Sequence, residues 1–107
     1  MIRLVHVALT MVIALPTLAA GQDAAGRKVY ETQKCSLCHS IDGKGNPKGP
    51  LAGVAKKYDA ATLKMWITKP TEMATKHNAT RKPPMKSFAS LPPADLDALV
   101  AYLQTLK

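Results

Sequence analysis

Apolar positions along the chain separate a hydrophobic leader from a series of amphipathic segments. Near the carboxyl terminus they recur every three or four residues, as on one face of an α-helix: Leu96, Leu99, Val100, Leu103 and Leu106. Pro92 and Pro93 come just before this stripe, and prolines are tolerated only in the first turn of a helix. A shorter helix is predicted from Asp23 to Lys34, with Val29 and Tyr30 facing inward.

The middle of the chain has one further helical pattern and one loop. Leu63, Trp66 and Ile67 follow the i, i+3, i+4 spacing of a buried helix face. Glycine, proline and asparagine cluster between Ile41 and Pro50, which predicts a loop. No segment after residue 20 alternates with the two-residue period of a β-strand. The pattern therefore predicts an all-α domain of three or four helices.

The first 20 residues have the layout of a secretory signal peptide. A basic start at Arg3 is followed by an apolar stretch over 4–15 and by a small-residue ending at Ala20. The apolar stretch is shorter than the ~20 residues that span a bilayer, so we expect no transmembrane segment in the mature chain. Residues 1–20 are interpreted as the leader and residues 21–107 as one domain, exported to the periplasm.

Size and charge limit what this domain can be. Of 107 residues, 87 remain after such a leader, and the formal net charge falls from +8 to +7 with the loss of Arg3. A domain of this length buries only a little over ~60 % of the surface that its unfolded chain exposes, which makes it marginal without additional support. The length also excludes a catalytic pair of domains.

The two cysteines, Cys35 and Cys38, suggest the nature of that support. A disulfide between them would close too small a loop to hold a fold together. A thioredoxin-like redox pair expects a βαβ setting, which the pattern lacks. A zinc site would need more ligands than the two histidines His39 and His77 that remain after the leader.

His39 follows the second cysteine directly, so that residues 35–39 read C-x-x-C-H, the attachment sequence of c-type haem. Cysteines three positions apart on a helical turn lie on one face and can form thioether bonds to the two haem vinyl groups. The next residue can then present an imidazole nitrogen to the iron. We therefore predict one covalent haem c, attached through Cys35 and Cys38 and ligated by His39.

Four downstream side chains could supply the sixth iron ligand: Met65, Met73, His77 and Met85. Met85 is favoured because two prolines precede it and stiffen an extended loop. Met65 adjoins the apolar helix face without lying on it and is interpreted as a packing or partly exposed side chain. Met73 lies in a turn-prone stretch and His77 in a polar one, yet both stay open as alternatives, as does an open coordination position.

Over residues 21–107 the chain resembles a class I c-type cytochrome. The resemblance is carried by Gly26-x-x-x-Tyr30, by residues 35–39, by Gly49-Pro50-Leu51 and by residues 66–70, 84–88 and 99–103. It implies a cytochrome c-like bundle of helices wrapped around one haem, with the N-terminal helix packed on the C-terminal one. It also implies that the Pro50 carbonyl accepts a hydrogen bond from the His39 imidazole, and that Met85 occupies the position of the second axial ligand.

Ligation by both His39 and Met85 would leave no iron position for oxygen or peroxide. We therefore expect a one-electron carrier and not an enzyme. The alternative is a dedicated haem subunit or docking partner of a larger periplasmic oxidoreductase. A sensor or peroxidase-like haem protein is a third class, but no distal His–Arg pair is recognisable.

Lysines flank the haem-binding and distal segments of the chain: Lys34, Lys44, Lys48, Lys69, Lys76, Lys82 and Lys86. They are either ordinary solvated surface or a ring that steers a monomeric carrier to redox proteins with acidic docking surfaces. Nucleic acid is disfavoured as a partner because an exported protein rarely meets it.

Overall fold

The computed structural model describes residues 10–14 and 18–107. Much of the leader predicted over residues 1–20 lies outside the described residues, and the leader stays a prediction. The elements run in the order α1 (Leu18–Thr32), a 3-10 helix (Cys35–Leu37), β1 (Ser40–Ile41), β2 (Lys44–Gly45), α2 (Val54–Lys57), α3 (Ala60–Thr68), α4 (Pro70–Lys76) and α5 (Pro93–Leu103).

The all-α fold class is confirmed, with differences in detail. The described part of the chain has five α-helices in place of the three or four expected, and α2 has only four residues. The predicted loop contains a two-stranded antiparallel hairpin in which Ile41 pairs with Lys44. Each of its strands has two residues, too few to show the alternation that would reveal a strand in the sequence.

The packing of α1 against α5 is the main helix contact, as the resemblance implied. Gly26 lies where α1 meets α5, and a Cβ at this position would contact the Ala98 carbonyl oxygen and the Tyr102 Cβ. One turn further, the rings of Tyr30 and Tyr102 meet edge to face, with centroids 6.1 Å apart. The small residue and the aromatic pair therefore set how closely the two helices approach.

Local signals explain where the other helices begin. Asp59 caps α3, because its carboxylate accepts a hydrogen bond of 2.8 Å from the backbone N–H of Thr62. Pro70 begins α4, where its missing N–H is not needed. Pro93 does the same for α5. The helix over 70–76 was not expected, because its lysine and threonine residues suggested a turn.

The core formed by these helices is small. It consists of Val29, Tyr30, Leu63, Ile67, Leu96, Leu99, Val100, Tyr102 and Leu103. Among the described residues, no large side chain is less than 2 % exposed. A second group of apolar side chains packs against this core and is only half-buried: Cys35, Ile41, Leu51, Val54, Tyr58, Ala60, Met85, Phe88, Leu91 and Leu106. The interior is thus bordered by apolar surface that the protein itself does not cover.

Candidate haem site

The two cysteines lie on a tight helical turn that follows α1. Lys34, two residues after the end of α1, adopts the left-handed conformation with φ 57°, and the 3-10 helix begins at the next residue. The Cys35 carbonyl accepts hydrogen bonds from the backbone N–H groups of Cys38, at 3.1 Å, and His39, at 2.9 Å. The attachment sequence therefore has the helical turn that the spacing predicted.

The two cysteines differ in their surroundings. Cys35 is half-buried and packs against the core, whereas Cys38 is exposed. Burial raises the pKa of the Cys35 thiol, and the positive charge of Lys86 partly opposes that rise. Lys86 directly follows Met85 in the chain, so the distal segment comes close to the attachment turn.

The His39 imidazole is oriented by a hydrogen bond to the next loop. Its Nδ1 lies 3.0 Å from the Gly49 carbonyl oxygen, and since a carbonyl can only accept, Nδ1 carries the proton. Nε2 is then the nitrogen with a free lone pair. Burial lowers the pKa of His39, the nearby Arg81 charge lowers it further, and the bond to Gly49 partly opposes both. Burial thus favours the neutral form that a metal ligand requires.

The hydrogen-bond acceptor differs by one residue from the expected Pro50. Ser40 pairs with Pro50 in a parallel β-bridge, in which the Gly49 carbonyl accepts from Ser40 N–H at 3.0 Å and Leu51 N–H donates to the Ser40 carbonyl at 2.9 Å. In such a bridge the residues on either side of Pro50 direct their polar groups toward Ser40, while the carbonyl of Pro50 points the other way. The Gly49 carbonyl consequently faces the imidazole.

Asn46 ties the same loop to the attachment turn, a role that sequence reasoning missed. Its side-chain amide donates to the Leu37 carbonyl at 3.1 Å, and its backbone N–H lies 2.9 Å from the His39 carbonyl. Gly45 precedes it with φ 106°, and a Cβ there would contact the His39 carbonyl oxygen. The Gly-Asn-Pro signal predicted a turn but not what the turn would hold.

The four distal candidates occupy different environments. Met65 is half-buried on α3. Met73 is a buried residue of α4 with 4 % exposure. His77 is exposed at the end of α4, and its ring centroid lies 5.6 Å from that of Tyr58 and 5.5 Å from that of Trp66. Met85 is half-buried and packs against the core.

The segment that carries Met85 is anchored on both sides. After it, the Ser87 hydroxyl donates to the Thr68 carbonyl at 2.8 Å and Phe88 N–H donates to the Ile67 carbonyl at 2.9 Å. Before it, Nη1 of Arg81 occupies the space next to Gly49 where a Cβ would lie. The segment thus extends from the end of α3 to the loop that holds His39.

The residues present fit a haem. One buried donor, the indole Nε1 of Trp66, has no hydrogen-bond partner in the described part of the protein, and the same holds for the Tyr30 hydroxyl. Buried polar groups are normally satisfied, so unpaired donors point to an acceptor that the described residues do not supply. The unpaired donors, the half-buried apolar side chains and the attachment turn together form the environment that a large apolar group with polar substituents needs.

Comparison with known families agrees with this geometry. The family model described as cytochrome c matches residues 24–107. The chain belongs to the cytochrome c family. Membership supports haem-based electron transfer and haem c as the cofactor, and it confirms the resemblance to class I c-type cytochromes.

Comparison with curated proteins adds a relative of different organisation. The cytochrome is 29 % identical over 92 residues to a protein of Alkalihalophilus pseudofirmus named cytochrome c oxidase subunit 2, covering 77 % of this chain and 25 % of that protein. The chain thus spans a quarter of that relative's length. No solved structure matches the cytochrome. In the part of the chain that the structure describes, no helix has both the length and the apolar character needed to cross a membrane.

Proposed function

We propose that the cytochrome is a one-electron carrier whose single haem c is attached through Cys35 and Cys38 and ligated by His39 and Met85. The observation that carries the proposal is the orientation of His39 at the end of the C-x-x-C-H turn. With Nδ1 donating to Gly49 at 3.0 Å, the lone pair of Nε2 is the one available to iron. Bound haem would supply the Fe(III)/Fe(II) couple, and a thioether ligand raises its potential relative to a second imidazole.

Three observations favour Met85 over the other candidates. Its segment is held at Thr68 on one side and reaches Gly49, beside His39, on the other. The neighbouring Lys86 is close enough to Cys35 for its charge to lower the pKa of that thiol. His77, by contrast, contacts the Tyr58 ring edge to face and the Trp66 ring at a tilt, and ligation would have to break these ring contacts.

The ligand assignment is tested with Met85→Leu and the matched variant Met73→Leu, because leucine preserves the volume of methionine and limits the packing loss. We expect the ferric wild type and Met73→Leu to show the weak near-infrared methionine–iron band and Met85→Leu to lack it. Met85→Leu should also bind carbon monoxide rapidly when reduced, through its open position. If the band is retained in Met85→Leu and lost in Met73→Leu, Met73 is the ligand.

The carrier's partners are proposed to be redox proteins with acidic docking surfaces. All seven lysines that flank the site are exposed: Lys34, Lys44, Lys48, Lys69, Lys76, Lys82 and Lys86. Charges on a surface of this kind raise association rates without tight binding. Electron-transfer rates with an acidic partner should fall steeply as ionic strength rises, and rates that do not change with salt would contradict docking by charge.

A second candidate is a dedicated haem subunit of a larger oxidoreductase, and the relative named as an oxidase subunit favours it. The two functions differ in assembly. A carrier purifies as a haem-loaded monomer that reduces its partner on transient contact, whereas a subunit co-purifies in a stable complex, which size-exclusion chromatography distinguishes. We further propose that the protein acts in the periplasm after removal of residues 1–20, so that its intact mass should correspond to residues 21–107 plus one haem.

A further inference from the structure

A contact between two distant segments places one cation beside the proximal histidine. A Cβ at Gly49 would contact Nη1 of Arg81 and the Cys38 carbonyl oxygen, and it would lie 3.0 Å from Nδ1 of His39. The guanidinium of Arg81 is therefore seated against the backbone of Gly49, in the same small space that His39 and Cys38 border.

Arg81 comes from the segment that carries Met85, four positions before it. On the other side of Met85, two hydrogen bonds fix Ser87 and Phe88 to the end of α3. Without the contact of Arg81 with Gly49, the segment around Met85 would be fixed only by the hydrogen bonds that follow Met85. Lysine would be a poor replacement, because an ammonium lacks the planar donor fork that can lie against backbone.

We propose that Arg81 is a positioning residue that ties the Met85 segment to the loop holding His39 and, through its fixed charge, favours reduced iron. This inference rests on the proposed His39 and Met85 ligation. A cation close to an axial ligand stabilises Fe(II) relative to Fe(III), because reduction lowers the positive charge at the iron. Since Arg81 is also exposed to water, we expect a moderate effect of about two- to tenfold on the Fe(III)/Fe(II) equilibrium.

The test compares haem-loaded Arg81→Gln, Arg81→Lys and the control Arg27→Gln. Arg27 is the matched residue because it is also exposed and also loses one positive charge, but it lies over the Tyr102 ring, 5.7 Å from its centroid, on α1. Two quantities are measured: the midpoint potential, by spectroelectrochemical titration, and the pH at which the methionine–iron band disappears as the solution is made alkaline.

In Arg81→Gln the midpoint potential should fall, because the Fe(III)/Fe(II) equilibrium changes two- to tenfold. A tenfold change corresponds to about 59 mV for a one-electron couple. Its methionine band should also disappear at lower pH than in the wild type. Arg81→Lys should keep most of the potential, since it keeps the charge, and still lose the band early. Arg27→Gln should match the wild type in both measurements.

The inference is overturned if Arg81→Gln and Arg27→Gln have the same midpoint potential, or if they lose the methionine–iron band at the same pH. Should Arg81→Gln fail to load haem, Arg81→Lys decides alone, and a methionine band as resistant to alkali as in the wild type would overturn the positioning role. Absence of the band from the wild type itself would instead refute the proposed Met85 ligation. The failures of the two proposals are thus distinguishable.

Discussion

At Gly26, α1 and α5 lie so close together that an added methyl group has no space. The Cβ of an alanine would contact the Ala98 carbonyl oxygen and the Tyr102 Cβ. Both atoms are fixed by the backbone of α5, so no change of rotamer can relieve the contact. Replacing Gly26 with alanine should therefore push the two helices apart, although alanine favours a helix more than glycine does.

The size of the effect follows from these two opposing contributions. Overpacking a close contact costs about 1–3 kcal/mol, and the rigidity of both contacting atoms puts Gly26→Ala at the upper end. Alanine stabilises a helix by about 1 kcal/mol relative to glycine, which offsets part of this cost. The net loss in the free energy of unfolding should be about 2 kcal/mol, which in a domain of this size lowers Tm by roughly 8–16 °C.

Thermal and urea denaturation of the haem-loaded protein measure this loss. The control is Ala25→Gly, an exposed position of the same helix, which reports propensity alone and should cost about 1 kcal/mol. The reasoning is refuted if Gly26→Ala is as stable as the wild type or more stable, because the propensity gain would then meet no opposing contact.

Two further predictions concern side chains that anchor backbone groups through hydrogen bonds. Ser87→Ala removes the 2.8 Å bond to the Thr68 carbonyl and the 3.2 Å bond accepted from Ala89 N–H. Loss of the bond to Thr68, worth about 1 kcal/mol, should lower by roughly 0.7 units the pH at which the methionine band is lost. Ser90→Ala should leave that pH unchanged, and equal shifts in both variants would contradict an anchoring role. The side chain of Thr62 and its backbone N–H hold the pKa of Asp59 below its ordinary value, so the stabilising effect of the cap is present above that ordinary value and is lost as the pH falls through the lower pKa of the folded state. Asp59→Ala should therefore be less stable than the wild type at pH 7 in urea denaturation, and a gap that does not shrink in acid would speak against the cap.

Patterns that are local in the sequence determined much of the protein. The apolar stripe predicted α5, although the structure ends that helix at Leu103, before Leu106. The C-x-x-C-H motif predicted a helical turn that carries both cysteines and is followed by His39, because the chemistry requires residues that are neighbours in the chain. The contact of α1 with α5 was implied by the resemblance of Gly26 and Tyr30 to the family's N-terminal helix, and the structure shows it. The leader and the Met85 ligation stay predictions.

Tertiary structure alone decided which atoms of distant segments meet. The Pro50 carbonyl was expected to accept the hydrogen bond of the His39 imidazole, but the parallel bridge at Ser40 turns the Gly49 carbonyl toward that ring. The direction of a carbonyl depends on strand pairing, which no local pattern specifies. The stretch beginning at Pro70 suggested a turn yet forms α4, because burial of Met73 outweighs weak propensity. The position of Arg81 against Gly49 joins residues 32 positions apart, and only the folded backbone brings them together.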